Sequence, residues 1–272
     1  MAVAMGGRET LRMSRQESDS ADDERLPPAV TVLNDAGRSC FVLTVEHASN
    51  FIPRRYGNLG LPDVELTRHI AWDIGVAPLA RGLAARLDAP AFLSGYSRLL
   101  IDCNRPMGVS SSIPLMSEVT EIPGNRDLAA TERAYRAEHY FWPYQKAITR
   151  HLDRRQQAGR STVIFAVHSF TPVFKGVVRP WHAGVLFRKS EAYGEALVEA
   201  LDRDGLVIGA NEPYQISDEG DYVVPVHGEG RGLDVVLIEV RQDLIADARG
   251  VAEWTDRLAD GLLEVERQLY AA

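Results

Sequence analysis

Four short runs of continuous apolar residues, each meeting a polar cluster, constrain this chain more than any other feature. CFVLTVE (40–46) leads into Glu46-His47-Ala48-Ser49-Asn50, and SRLLIDC (97–103) ends in Asp102-Cys103-Asn104-Arg105-Pro106. TVIFAV (162–167) leads into His168-Ser169-Phe170, and DVVLIEV (234–240) contains Glu239 before Arg241-Gln242-Asp243. Runs of this length, rich in β-branched residues, read as buried strands. Between them the apolar spacing turns helical. Residues 63–88 place Leu66, Ile70, Ile74, Ala77, Leu83 and Leu87 at helical intervals, with Pro78 early in a segment or at a kink. A long helix is predicted from an N-cap at Thr131 to about Gln157, bent near Pro143 and closed before Gly159. Further helices are predicted at 190–204 and 250–269, with one or two strands within 91–103, SRLLIDC the clearer, and shorter ones at 183–187 and 206–208. Strands alternating with helices predict a single three-layer αβα domain over 29–272, built on a mainly parallel mixed sheet.

Composition narrows the partners. The formal charge of −8 argues against nucleic acid, which needs a basic patch. No stretch approaches the roughly 18 apolar residues of a membrane span. The polar N-terminus shows no signal-peptide core, so a cytoplasmic protein is the expectation. Residues 1–28, rich in Ser, Asp, Glu and Arg and ending at Pro27-Pro28, are expected to form a disordered tail. The cysteines, Cys40 and Cys103, both fall in apolar runs and read as reduced core thiols. Residues 107–130 carry scattered Ser, Pro and Gly without periodicity, which predicts a long loop over a site.

In open α/β sheets ligands bind beyond the carboxyl ends of the strands, so the polar clusters are candidates to converge in one crevice. Two histidines from separate strand ends plus carboxylates match a catalytic zinc set of three N/O ligands with an open position for water. A pair of hydrogen-bonded, half-core histidines fits the pattern too, and composition alone does not choose. Ser49 and Ser169 adjoin histidines, but no G-x-S-x-G elbow accompanies them. Cys103 lacks the exposed, electropositive setting of a reactive thiol. The aromatic run HYFWPY (139–144) reads as packing on a helix.

An ordered set of longer motifs carries a resemblance. VEHASNFIP (45–53), RHIAWDIG (68–75), SRLLIDCNRP (97–106), IPGN (122–125), VHSFTPV (167–173), RPWHAGVL (179–186), NEPY (211–214), HGEGRGL (227–233) and IEVRQDLI (238–245) together resemble the N-formylglutamate amidohydrolase family. That family is similar in turn to the zinc carboxypeptidases and aspartoacylases, which implies a zinc-exopeptidase-like fold and Zn2+ or another divalent metal. By the resemblance His47 and His168 are metal ligands, Asn104 and Arg105 clamp a substrate carboxylate, and Glu239 is the general base. The carboxypeptidases take a further ligand from His-x-x-Glu, where this chain has Asn50. The third ligand must then come from elsewhere: Asp73 first, from its place in the family block, then Glu46, which strand alternation points away from His47. His69, one helical turn before Asp73, would orient that carboxylate or replace it.

The implied reaction is hydrolysis of the amide bond of a small, carboxylate-bearing N-acyl amino acid such as N-formyl-L-glutamate, by zinc-activated water. Arg98 is an alternative carboxylate partner or an oxyanion stabiliser, and Asp102 is expected to fix an arginine. The family match places His227 and Arg231 over the site on a Gly-rich loop, whereas a plain turn is the competing reading. Arg179 and His182 either line the pocket or serve structure. A carboxypeptidase-like or other deacylase of the same fold, or a binding protein without metal, are the competing functions.

Overall fold

The computed structural model describes residues 25–270. The tail expected over 1–28 therefore lies outside the described residues as far as residue 24. Seven strands form the central sheet: β1 (Val30–Leu33), β2 (Phe41–Val45), β3 (Ala91–Ser94), β4 (Val163–Phe170), β5 (Ala183–Leu186), β6 (Ile208–Ala210) and β7 (Asp234–Arg241). Their order is β1-β3-β2-β4-β7-β5-β6. The four central strands β3, β2, β4 and β7 run parallel, β1 is antiparallel to β3, and β5 is antiparallel to β7 with β6 parallel to β5. The sheet is thus mainly parallel and mixed, as the alternation predicts.

Helices cover both faces. On one, α1 (Val76–Leu87), α4 (Glu191–Leu201) and α5 (Ala248–Tyr270) pack against Phe41, Leu43, Phe165, Val167, Val236 and Ile238. On the other, α3 (Trp142–Gln157) sets Tyr144, Ile148 and Leu152 against Val42, Ile164, Ala166 and Leu237. Because both faces are covered, the strands read as continuous apolar runs instead of alternating ones. In α5 the residues Leu258, Leu262 and Val265 are fully buried at helical spacing. Each such side chain contributes about 1.5–3 kcal/mol of transfer free energy.

A third apolar cluster, with Ile70, Ala71, Leu99, Leu100, Ile101, Ile113, Ile122, Tyr140 and Phe141, lies apart from the two that flank the sheet. It explains two departures from expectation. The 63–88 segment is not one helix: a single turn at Asp63–Leu66 is followed by irregular chain until α1 begins at Val76. Ile70 packs in the third cluster and Leu79 in the first, so the helical spacing mixed two burial environments. The Asp73 N–H donates to the His47 carbonyl at 3.0 Å, and Gly75 turns the chain at φ +85° into α1. An added Cβ at Gly75 would sit 2.4 Å from the Ile245 carbonyl oxygen, so the residue also allows a close approach. Pro78 then falls in the first turn of α1, where its missing N–H costs nothing.

SRLLIDC likewise is not a strand. It is a buried series of turns in which the Ser97 hydroxyl donates to the Ala71 carbonyl and accepts the Leu99 N–H. A short apolar run does not by itself distinguish strand from other buried chain. The long helix predicted from Thr131 starts at Ala130 as α2 (Ala130–Arg136), with Ala129 at the cap position and Thr131 inside the first turn. It passes through a π-type turn at Ala137–Phe141 into α3, so the irregularity sits just ahead of Pro143. The loop at 107–130 holds a small hairpin, Met116–Ser117 with Thr120–Glu121. Cys40 and Cys103 are free thiols. Among the described residues no helix is long and apolar enough to cross a membrane.

Candidate active site

The three adjacent parallel strands β2, β4 and β7 bring their carboxyl ends to one place. Along β4 the side chains alternate between the two clusters, with Ile164 and Ala166 on the α3 face, so His168 follows them there. On β7, Val235 and Leu237 take the same face, and Glu239 extends their row. Glu239 and His168 are register partners across the β7–β4 ladder. Glu46, one residue past the end of β2, lies 2.8 Å from His168 Nε2. Alternation thus carries Glu46 to His168 and away from His47.

His47, Asp73 and His168 converge at these ends, all three buried, with one potential ligand atom from each within 4.8 Å of the others. Asp73 Oδ2 lies 2.9 Å from His168 Nδ1 and 3.3 Å from His47 Nδ1. The outward nitrogens have their own carboxylates, His47 Nε2 being 2.7 Å from Asp102 Oδ1 and His168 Nε2 2.8 Å from Glu46 Oε2. A carboxylate only accepts, so each Nε2 carries hydrogen and each Nδ1 faces the centre. Carboxylate behind imidazole is the arrangement that orients a metal-binding histidine and raises its basicity. His69 is not in that cluster, although it lines the cavity that opens on it. It sits on irregular chain, not one helical turn from Asp73, and its Nε2 is 3.5 Å from Glu118.

The charges fit a dication. Glu46, Asp73, Asp102 and Arg98 cluster around the two imidazoles; Arg98 reaches Asp102 Oδ2 at 2.9 Å and Asp73 Oδ1 at 3.4 Å. With neutral imidazoles, three carboxylates against one guanidinium leave two negative charges in a buried space. Burial would raise the Asp73 pKa, but His47 and His168 outweigh it and hold the carboxyl far below its ordinary range. Asp102 is lowered well below that range too, burial being overcome by Arg98 and His47. For His168, burial opposes the charged form, yet its hydrogen bonds to Asp73 and Glu46 push the pKa well above the ordinary value. Without a metal, this histidine carries the positive charge that the carboxylates demand. Unlike Asp73 and Asp102, Glu239 has its pKa pushed up by burial, to about 8, and its Oε2 has no hydrogen-bond partner.

A cavity of about 380 Å³ opens on this centre. It is within the usual range for small-molecule sites. His47, Asp73, His168, Glu239, Arg98, Asn104 and Arg105 all line it, together with Met116 and Glu118 from the 107–130 loop. Asn104 is committed to the scaffold: its Oδ1 accepts the N–H groups of Tyr222 and Val223, and its Nδ2 donates to Asp221. The Arg105 side chain makes one hydrogen bond among the described residues, to the Asn104 carbonyl at 3.1 Å, so most of the guanidinium donors remain for a ligand.

Other expected residues stay outside the cavity. His227 is buried behind it, its Nε2 2.8 Å from Gln145 Oε1, while the Gln145 amide donates to the Cys103 carbonyl. Burial lowers the His227 pKa to about 4, so it is neutral near pH 7. Arg231 turns the other way and pairs with Asp153 on α3 at 2.7 Å. The Gly-rich loop is therefore a connection on the α3 side, not a cover. His182 accepts the Val207 N–H on Nδ1. Arg179 is one side chain removed from the cavity and donates to the Tyr214 hydroxyl at 2.9 Å. Tyr214, from NEPY, lines the cavity and was assigned no role from sequence, nor was Glu118. NEPY was the available signal for the first, while the aperiodic 107–130 loop pointed to the second without naming it.

The sequence matches the N-formylglutamate amidohydrolase family model over residues 39–246. No curated protein matches it. Among solved structures, a gene product from Agrobacterium tumefaciens superposes with a TM-score of 0.87 at 34% identity, over 89% of this chain and 96% of that one. N-formylglutamate amidohydrolase from Ralstonia eutropha superposes with a TM-score of 0.68 at 16% identity, over 89% of this chain and 99% of that one. The second likeness concerns the fold.

Proposed function

The chain belongs to the N-formylglutamate amidohydrolase family, and from that premise we propose that it hydrolyses the amide bond of a small N-acyl amino acid such as N-formyl-L-glutamate, with a divalent metal. The observation that carries this reading is the buried His47–Asp73–His168 cluster at the head of the cavity. Its donors are two imidazole nitrogens and a carboxylate, without thiolate, which suits zinc. When bound, such an ion would supply Lewis acidity toward the carbonyl and bring the pKa of water to roughly 7.

The protein's own groups divide the remaining work. Glu239 faces the cavity with an unpaired Oε2; burial favours its protonated form, a nearby dication would favour the ionised one, and it is the ionised carboxylate that takes the proton of the attacking water and hands it to the leaving amine. Arg105 holds the substrate carboxylate, since a planar guanidinium offers two parallel donors. Arg98, tied to Asp73 and Asp102, is a fixed positive group next to the carbonyl oxygen. Glu46 and Asp102 keep the imidazoles oriented. The cavity volume favours a small acyl amino acid over a long peptide.

The test is amine release from N-formyl-L-glutamate by the purified protein, with and without a chelator. Release that stops on chelation and returns with zinc is expected. No release from this compound or from a panel of N-acyl amino acids would overturn the reading.

A further inference from the structure

NEPY places a tyrosine at the cavity whose local wiring is unlike that of a packing residue. The segment lies close on β5: an added Cβ at Gly184 would fall 1.6 Å from the Glu212 carbonyl oxygen, so only glycine admits this approach. Gly184 is in turn the register partner of Glu239 on β7. The Asn211 N–H donates to the Val185 carbonyl, and its side-chain oxygen accepts the Phe187 N–H. These contacts hold Tyr214 at the cavity, on the side of the sheet end that carries Glu239.

Behind Tyr214 is Arg179, a guanidinium buried among aromatic rings. Its central carbon lies 4.6 Å from the Phe174 ring centroid, 4.8 Å from that of Tyr214 and 5.6 Å from that of Phe170. Among the described residues no carboxylate lies within ion-pair distance of it, Glu239 feeling its charge only from further off, and its side-chain hydrogen bond goes to the Tyr214 hydroxyl oxygen at 2.9 Å. A buried cation without an acidic partner is costly, so a ring cage that positions it asks for a reason. A phenol has one proton to give and lone pairs to accept with. Arg179 occupies the acceptor side, and no protein acceptor among the described residues takes the proton. A phenol is protonated near pH 7 in any case, and partial desolvation with Glu239 nearby moves the Tyr214 pKa further up, so the group is a neutral donor and not a base.

We infer that Tyr214 is a catalytic residue whose hydroxyl donates to the substrate carbonyl oxygen as negative charge develops there, with Arg179 as the positioning residue that turns the proton into the cavity. The assignment rests on the hydrolytic reading above. A donor aimed at charge that exists only in the transition state acts on kcat and leaves KM nearly unchanged. Arg179 acts through the same hydroxyl, so its effect and that of Tyr214 should not add.

The experiment is steady-state kinetics on N-formyl-L-glutamate, or on whichever N-acyl amino acid the wild-type protein turns over best, for Tyr214→Phe, Arg179→Lys and the double variant. Tyr214→Phe keeps the ring against Arg179 and removes only the hydroxyl. It is expected to lower kcat by about 10²–10³-fold, with KM within about threefold and unchanged metal content. Arg179→Lys is expected to lower kcat on its own and to add less than about threefold in the Tyr214→Phe background. Wild-type turnover with Tyr214→Phe within twofold of it would overturn the assignment and leave the hydrolytic reading standing. A rise in KM alone would make Tyr214 a ground-state binding residue, and fully additive losses would detach Arg179 from it; each overturns the proposal as stated. A wild-type protein without turnover of any N-acyl amino acid would remove both the reading and the assignment.

Discussion

Replacing Glu46 by glutamine removes one charge from the buried His47–Asp73–His168 centre proposed to hold the metal, while leaving the shape of the site intact. Glu46 is buried and receives two hydrogen bonds, from His168 Nε2 at 2.8 Å and from the Tyr144 hydroxyl at 2.7 Å. In the variant, the carboxamide oxygen accepts from His168 and the amide donates to the Tyr144 oxygen. Tyr144 then turns its proton to the Phe92 carbonyl, already 3.2 Å away. No buried polar group is left without a partner, so the fold should persist. What changes is the anion behind His168: the imidazole becomes a weaker base and the cluster's excess of two negative charges falls to one. Loss of such a partner costs roughly 10–100-fold in metal affinity, or about 1.4–2.8 kcal/mol at 1.4 kcal/mol per decade. Competition against a chelator of known affinity, at fixed pH, reads this directly. Affinity within twofold of wild type, in a protein with an unchanged unfolding transition, would refute the idea that Glu46 supports a metal ligand.

Glu239→Gln should retain metal and substrate binding and lose turnover by about 10²–10⁴-fold; near-normal kcat would move the base elsewhere. Arg105→Lys should raise KM for acidic substrates by about tenfold, with kcat little changed, since a point charge replaces a planar fork; unchanged KM would move the carboxylate clamp to another residue. Metal uptake should also release a proton. The His168 pKa is raised in the metal-free site, so the imidazole is protonated near neutrality and must lose that proton to ligate. Affinity therefore weakens as pH falls, and calorimetry in two buffers of different ionisation enthalpy should give different apparent heats; identical heats would contradict the ligand role. The raised pKa makes the same imidazolium stabilise the metal-free fold. That contribution is fully present below the unfolded-state value and is lost as pH rises through the folded one.

The strands that hold this centre were legible because their surroundings made them so. β2, β4 and β7 are covered on both faces, and continuous apolar runs such as VIFAV and VVLI follow directly from that. His47 and His168 stood out as polar residues at the ends of such runs. Asp73 did not. Its segment is irregular, fastened by the Asp73 N–H to the His47 carbonyl and by the Ser97 and Ser169 hydroxyls to the Ala71 and Ile74 carbonyls, and only the family block points to it. Glu46 was visible as a strand-end acid whose side chain turns away from His47. Its partner His168 lies 122 residues further along the chain, a contact that spacing does not encode. His227 and Arg231 misled for the converse reason. A Gly-rich loop with two cations reads as a cover, whereas Gln145 and Asp153, both on α3, draw those side chains away from the cavity. Tyr214 depends on a close backbone approach at Gly184, which a lone glycine in a strand hints at without naming its neighbour.

In the proposed function, His47, Asp73 and His168 hold one catalytic divalent ion. Its most direct test is the metal content of the purified wild-type protein beside Asp73→Ala, measured by mass spectrometry after dialysis and after reconstitution with zinc. One ion per chain is expected in the wild type, and none retained by a folded Asp73→Ala protein. Stoichiometric zinc in the variant, or no metal in the reconstituted wild type, would contradict it.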